Sequence, residues 1–189
     1  CGWVLIILHL AVMDMKIGMS VLFVECDRRH LMKILDACCG SRMFYFQKQH
    51  PAVAFMDIRQ EQFEIHDKKV NVQPDVIGDF RNMPFDDEVF DLVIFDPPHL
   101  KRAGQKSIMR AQYGQLNKDT WKEDIFMGFD ECMRVLKFGG TLIFKWSEVQ
   151  IPIKEVLDIL AEAAYVPLLG DQRGKTRWIV FVKAVSMNA

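Results

Sequence analysis

Short apolar runs alternate with amphipathic stretches along the chain from residue 33 onward. Continuous apolar runs are typical of strands buried on both faces, and apolar residues at three-to-four spacing indicate helices with one buried face. Alternation of this kind predicts an α/β domain in which a mostly parallel sheet carries helices on both faces. The predicted strands are residues 33–37, 52–56, 75–78, 90–95, 141–146 and 178–182, and the predicted helices are residues 41–50, 119–137 and 153–164.

Proline and glycine residues mark the ends of the predicted helices. Pro51 stops the first helix, Gly139 and Gly140 close the second, and Pro152 opens the third. Residues 170–176 contain glycines followed by Lys and Thr, but their spacing is not that of a phosphate-binding P-loop and a strand follows them. We interpret this segment as a basic hairpin loop.

The length of 189 residues gives room for one domain, which we expect to comprise residues 32–189. Residues 1–31 are an N-terminal extension of unassigned status. Their apolar run, residues 3–13, is too short to span a membrane and lacks the flanks of a signal peptide. The extension is therefore either a docked element of the domain or sequence that precedes a native start at Met32.

Net charge and cysteine usage narrow the class of protein further. The formal net charge of −1 excludes bulk charge as an argument for nucleic acid or membrane binding, so such binding would need a local cluster. Five cysteines, an odd number, do not form a disulfide framework and favour a reducing, cytoplasmic compartment.

Acidic residues lie at or directly after the ends of the first three predicted strands, at the sheet edge where α/β proteins bind ligands. Asp36 opens a small-residue turn that runs to Arg42, where backbone N–H groups can meet a polar ligand closely. Asp57 lies about twenty residues further on, at the spacing of a carboxylate that accepts hydrogen bonds from ribose hydroxyls. Asp79 can accept from an exocyclic amine while the ring of Phe80 covers a base. Together these residues predict a site for a nucleoside-containing cofactor.

The fourth predicted strand ends in Asp96, Pro97, Pro98 and His99. Two prolines cannot continue a central strand, so the chain must turn and expose the Asp96 carboxylate and the Pro97 carbonyl at the sheet edge. Two adjacent acceptors suit the two hydrogens of a planar NH₂ group. The motif therefore predicts a site for an amino group.

These motifs, in this order, resemble those of the class I S-adenosylmethionine-dependent methyltransferases. The resemblance runs from about residue 32 to residue 183 and is nearest to small stand-alone bacterial and phage enzymes that methylate amino groups. It implies a Rossmann-like class I methyltransferase fold with an antiparallel last strand, and S-adenosylmethionine as the cofactor. The matching segments are residues 35–40 (LDACCG), Asp57, residues 78–80 (GDF), residues 96–99 (DPPH) and residues 134–140 (RVLKFGG).

The resemblance also implies a role for each matching residue. This sequence departs from the family at Arg42, where a glycine is usual, and at His99, where an aromatic residue usually stacks on a flipped base. By resemblance the methionine end of the cofactor contacts Asp36, Cys38, Gly40 and Arg42, its ribose contacts Asp57, its adenine contacts Asp79 and Phe80, and the catalytic residues are Asp96, Pro97 and His99.

Several of these residues also fit purely structural roles. Phe80 is also consistent with a core residue, and His99 with a histidine that makes structural hydrogen bonds. Cys38 and Cys39 are better explained as small packing residues than as nucleophiles or metal ligands. The five histidines are scattered without metal-ligand spacing, so no metal is expected.

Residues 99–118 form a long connection that carries five basic residues and no acidic one. A connection of this length is uncommon unless it acts as a lid or binding loop, and its charge favours a phosphate-bearing acceptor. We therefore expect methylation of an exocyclic amine, with adenine in DNA or RNA favoured. The alternatives are a small metabolite, a protein amide, or a catalytically silent cofactor-binding subunit. The expected substrate contacts are Pro98, Lys101, Arg102, Lys106 and Tyr113.

Overall fold

The computed structural model describes residues 32–65 and 67–184, and the interpretation of residues 1–31 lies outside them. Nine strands and three helices are present in these two ranges. The strands are β1 (Ile34–Asp36), β2 (Val53–Asp57), β3 (Glu61–Ile65), β4 (Lys68–Val72), β5 (Val76–Ile77), β6 (Phe90–Phe95), β7 (Leu136–Ser147), β8 (Leu169–Arg173) and β9 (Thr176–Val182), and the helices are α1 (Ile108–Tyr113), α2 (Trp121–Val135) and α3 (Ile153–Glu162).

Seven strands form one sheet in the order β5-β2-β1-β6-β7-β9-β8. The pairs from β5 to β7 are parallel, and β9 runs antiparallel to both of its neighbours, β7 and β8. The predicted mostly parallel sheet with an antiparallel last strand is confirmed. Because β2, β1 and β6 are parallel neighbours, their carboxyl ends meet at one edge, and the strand order reverses between β1 and β6.

The main core lies between one face of this sheet and the helices α2 and α3. Phe95, Phe144 and Trp146 project from that face and are fully buried against Ile125 and Phe129 of α2. Burying side chains of this size stabilises a fold by about 1.5–3 kcal/mol each. The three-to-four spacing of apolar residues predicted the buried face of α2 correctly and its bounds nearly so. However, β7 begins at Leu136, ahead of the two glycines that were expected to close the helix.

The predicted helix over residues 41–50 is wrong, because this segment forms turns. Gly40 and Arg42 both adopt positive φ angles, 48° and 54°, which interrupt a right-handed helix at its first turn. Tyr45 and Phe44 then pack on the face of the sheet opposite α2, edge-on to Phe55 and to Trp178 at ring-centroid distances of 4.8 and 5.8 Å. Contacts with the sheet thus override a helical pattern that is only three turns long.

The antiparallel hairpin β3–β4 was not predicted. It lies outside the main sheet, and Val70 and Val72 of its second strand form a small separate cluster with Ala111 of α1, with Phe63 and Ile108 packed against it. The predicted hairpin loop at residues 170–176 corresponds to the β8–β9 hairpin, with Gly174 at its turn. No described helix is long and apolar enough to span a membrane.

Candidate active site

A cavity of about 250 Å³ lies at the carboxyl ends of β1, β2 and β5. Its wall combines residues that are far apart in the sequence but follow neighbouring strands. The structure thereby brings together the predicted cofactor residues Cys38, Asp57, Asp79 and Phe80 with the predicted substrate contacts Pro98 and Tyr113.

The Asp57 carboxylate at the end of β2 is almost completely buried and is held by four donors. Its oxygen Oδ2 accepts from the Gly40 N–H at 3.0 Å and from Arg59 Nη2 at 3.2 Å, and Oδ1 accepts from the Arg59 N–H and Nε. Arg59 also donates to the carbonyl oxygens of Ala111 and Gln112 at the end of α1. One guanidinium therefore links the predicted ribose carboxylate to α1.

Asp79 is likewise paired with an arginine. Arg81 donates to both oxygens of Asp79 and, through Nη1, to Asp124 of α2 at 2.8 Å. The guanidinium lowers the pKa of Asp79, so this carboxylate stays ionised. The neighbouring Phe80 lies 5.5 Å from the Phe95 ring between centroids and against Gly128, where a Cβ would stand 2.4 Å from Phe80. Phe80 is thus both a core residue and part of the cavity wall.

Asp36 at the end of β1 is fully buried and does not line the cavity. Its Oδ1 accepts from the Cys38 N–H at 3.2 Å, whereas Oδ2 has no partner among the described residues. Burial raises the pKa of Asp36 to about 7, opposed by the nearby Tyr45 hydroxyl. Burial also raises the pKa of the Cys38 thiol, so this cysteine stays protonated, as expected of a packing residue.

Gly40 and Arg42 lie in the same turn but contact different parts of the molecule. A Cβ at Gly40 would stand 2.7 Å from the Gln112 carbonyl oxygen, so only glycine allows α1 to sit directly on this turn. Arg42 turns away from the cavity: it lies 3.8 Å over the Phe55 ring and binds the Gln73 carbonyl and the Asp75 carboxylate. Its position indicates that it holds the turn in place.

Asp96 is buried at the end of β6 and forms an ion pair with Lys145 of β7 through Oδ2. Among the described residues nothing donates to its Oδ1, and Asp96 lines a second, narrow cavity of about 10 Å³. Burial raises the pKa of Asp96, and Lys145 partly offsets this effect. Cys38 and Tyr113 line both cavities, so they form the partition between them.

His99 is nearly fully buried, 5.2 Å from Tyr113 and 6.5 Å from Trp146 between ring centroids. Neither ring nitrogen has a partner in the described part of the chain. Burial, assisted by the positive charge of Lys145, lowers the pKa of His99 to about 4. The imidazole is therefore neutral at physiological pH, with one unpaired donor and one unpaired acceptor. Tyr113 lies between His99 and the cavity of about 250 Å³.

The connection over residues 99–118, called the basic loop from here on, is held by hydrogen bonds near its start and is more exposed further along. The N–H groups of Lys101 and Arg102 both donate to the Gln150 side chain, which fixes this part of the loop to the segment after β7. The side chains of Lys101, Arg102 and Lys118 line a surface groove of about 650 Å³. Lys106 is exposed outside that groove, just before α1.

Four charged residues of the site escaped the sequence analysis: Arg59, Arg81, Asp124 and Lys145. Arg59 and Arg81 each stand two positions after a predicted cofactor carboxylate, a spacing that lets a side chain fold back on it. Lys145 is a charged residue within an otherwise apolar strand, which is a signal that could have been used. No group of potential metal ligands occurs among the described residues.

Comparisons with known proteins agree with this architecture. Neither the models of known families nor the curated proteins give a match to the sequence. Among solved structures, a Pyrococcus horikoshii protein is 18% identical over 83% of this chain and 84% of its own, with a TM-score of 0.53. A SAM-dependent methyltransferase from Aquifex aeolicus is 15% identical over 81% of this chain and 82% of its own, with a TM-score of 0.51. At such identities the likeness establishes the fold alone: the chain has the Rossmann-like fold of the class I methyltransferases.

Proposed function

We propose that the protein transfers a methyl group from S-adenosylmethionine to an exocyclic amine. The observation that supports this most is the partition at Cys38 and Tyr113, which separates a cavity lined by nucleoside-type contacts from a buried carboxylate with one open oxygen. A reaction between two ligands needs two adjacent sites of different chemistry, held in a geometry that brings the reacting atoms together.

The cavity of about 250 Å³ at the ends of β1, β2 and β5 fits S-adenosylmethionine by the chemistry of its wall. Asp57 supplies acceptors for ribose hydroxyls, Asp79 supplies an acceptor for the adenine amine, and Phe80 supplies an apolar ring for the base. Protein donors already make four hydrogen bonds to each of these carboxylates. Ribose binding therefore requires Arg59, and adenine binding requires Arg81, to release at least one oxygen. The exchange preserves the number of hydrogen bonds at each carboxylate.

When bound, the cofactor supplies an activated methyl group and retains the electrons of the broken sulfur–carbon bond. The chain's own residues orient the acceptor. Oδ1 of Asp96 accepts one amine hydrogen and the Pro97 carbonyl accepts the other, so the nitrogen lone pair is left to form the new nitrogen–carbon bond. The surplus amine proton then passes to Asp96, whose raised pKa favours accepting it.

Radiolabelled cofactor incubated with the purified protein and separate pools of DNA, RNA, protein and metabolites tests this function. We expect label in an N-methylated product. Label in the metabolite or protein pool would transfer the assignment to those acceptors. Cofactor binding without label in any pool would contradict the proposed activity and favour a silent cofactor-binding subunit.

Asp57→Asn should weaken S-adenosylmethionine binding by about 1–3 kcal/mol, measured by calorimetry, because buried hydroxyls lose a charged acceptor. Asparagine keeps the shape of the side chain and one oxygen for the Gly40 N–H. Asp75→Asn is the matched control, since Asp75 also accepts a strand N–H and an arginine but lies outside the cavity. Equal affinity in the parent and in Asp57→Asn would move the ribose site elsewhere.

For the acceptor we propose adenine in DNA or RNA. The groove lined by Lys101, Arg102 and Lys118 opens from the same segment that carries Tyr113, next to the partition. Phosphates next to a target base would bind in such a groove, whereas a small uncharged metabolite would not use it.

Replacing the three basic groove residues Lys101, Arg102 and Lys118 together by alanine should weaken nucleic acid binding and flatten its salt dependence. Each lost phosphate contact lowers the slope of log affinity against log salt by about 0.7–0.9. Filter binding at several salt concentrations measures this slope, and calorimetry should give unchanged cofactor affinity.

The control variant removes three exposed lysines outside the groove, Lys68, Lys69 and Lys154. It changes the net charge by the same amount and should leave the slope nearly unchanged. If the parent does not bind nucleic acid at low salt, or if both triple variants lose the same slope, the nucleic acid acceptor is excluded and a small-molecule acceptor is favoured.

A further inference from the structure

Lys145 is placed to do more than neutralise Asp96. Its side chain is 14% exposed, and its ammonium group has three N–H donors. One donates to Asp96 Oδ2, and the described residues supply no acceptor for the other two. Unused donors on a buried cation are costly, so this group is suited to an acceptor atom that a ligand brings.

Three aromatic rings surround the same ammonium. Tyr113 of α1, Phe44 of the turn segment and Trp178 of β9 lie 5.1, 5.5 and 5.6 Å from Nζ to their ring centroids. These distances lie within the range of cation–π attraction. The rings surround the ammonium with apolar surface and offer flat faces to a planar acceptor.

The Asp96–Lys145 pair therefore presents one open acceptor oxygen beside a set of open donors. A planar group that carries an amine and a ring nitrogen on the same carbon is complementary to this arrangement. Its amine donates to Asp96 and its ring nitrogen accepts from Lys145. The amino-imine edge of adenine has this pattern, and the surrounding rings favour such an aromatic heterocycle over an aliphatic amide.

We propose that Lys145 is a substrate-specificity residue that donates a hydrogen bond to the ring nitrogen next to the methylated amine of adenine. This inference rests on the proposed function, since it describes the acceptor of the same reaction. It also accounts for the absence of an aromatic residue at position 99, because recognition of the base edge by Lys145 and stacking on Tyr113 together take over the role of that ring.

The test uses random-sequence DNA and RNA made either with adenine or with 1-deazaadenine, which keeps the exocyclic amine and replaces the ring nitrogen by carbon. The full chain should methylate the adenine polymers with a kcat/KM about 10–100-fold higher than the 1-deazaadenine polymers, as expected for loss of a hydrogen bond to a charged donor. In Lys145→Met this preference should fall to near one, because the donor is missing for both.

Lys137→Met is the matched control. Lys137 forms the equivalent ion pair with Asp91 across the same two strands, β6 and β7, but at their opposite end. This variant should keep the full preference for adenine. The double variant with Asp96→Asn and Lys145→Met leaves no unpaired buried charge, and circular dichroism on it and on the single variants establishes folding.

The outcomes separate this inference from the proposed function. Methylation of adenine without a preference over 1-deazaadenine, or a preference that survives in Lys145→Met, overturns the role of Lys145 and leaves the methyltransferase activity standing. No methylation of adenine in either polymer, by a protein that binds the cofactor, overturns the nucleic acid acceptor and the role of Lys145 with it.

Discussion

Asp96→Asn should lower methyl transfer by about 10²–10⁴-fold and leave S-adenosylmethionine affinity within about twofold of the parent. Asparagine offers one carbonyl oxygen but cannot take the amine proton, and its NH₂ group cannot accept from Lys145. Single-turnover kinetics with labelled cofactor measure the first effect, and calorimetry measures the second. Asparagine is the suitable replacement because alanine would leave the Lys145 ammonium buried without a partner, which costs about 3–5 kcal/mol.

Asp91→Asn is the control for this variant. Asp91 lies on the same strand, β6, accepts from Lys137 and the Lys33 N–H, and has no part in either cavity. Its replacement should affect stability and not turnover. If Asp96→Asn loses the cofactor as completely as it loses turnover, Asp96 belongs to the cofactor site and the assignment of the amine site is refuted.

Asp36→Asn should stabilise the protein above neutral pH. Burial holds the pKa of Asp36 near 7 in the folded chain, against 3.8 for an exposed aspartate. The unfolded chain releases this proton near pH 4, whereas the folded chain retains it to about pH 7, so the contribution of Asp36 to stability is lost as the pH rises through this window. The loss is about 4 kcal/mol, and Asp36→Asn should recover most of it at pH 8 and none at pH 4.

His99 changes the stability with pH in the direction opposite to Asp36. The contribution of Asp36 is therefore measured by the difference in unfolding free energy between the parent and Asp36→Asn, and not by the parent alone. The pKa of His99 falls to about 4 on folding, and its contribution to stability therefore rises with pH between about 4 and 6.5. Urea denaturation of the parent and of Asp36→Asn across pH 4–8 separates the two groups. A constant difference across this range would mean that Asp36 is already ionised in the folded chain.

The sheet edge could be predicted from sequence because strand ends leave strong local signals. Asp57 follows an apolar run directly, and two prolines after Asp96 cannot continue a strand, so both carboxylates had to lie where the chain leaves the sheet. Parallel strands then place such residues at a common edge. Asp57, Asp79 and Phe80 do line one cavity at this edge.

The partners of these carboxylates could not be predicted in the same way. Arg59 donates to the end of α1, more than fifty residues away in the sequence, and Lys145 of β7 pairs with Asp96 at the end of the neighbouring strand β6. Both contacts depend on how the chain folds over long distances in the sequence, and the second depends on the register of β6 and β7. The helix predicted over residues 41–50 is wrong for a related reason. Its residues form an amphipathic pattern when placed on a helix, but an irregular chain of the same length also brings its aromatic rings into contact with Phe55 and Trp178.

The second small cluster, formed by the β3–β4 hairpin and α1, gives this fold two levels of stability. Because the described part of this cluster buries only Val70, Val72 and Ala111, releasing α1 from the hairpin exposes far less apolar surface than opening the main core. Segments held in this way belong to the units that open first in native-state hydrogen exchange. We therefore expect α1, whose Tyr113 lines the Asp96 cavity, to open before the sheet does, so that entry of a bulky acceptor would cost a local opening and not a global one.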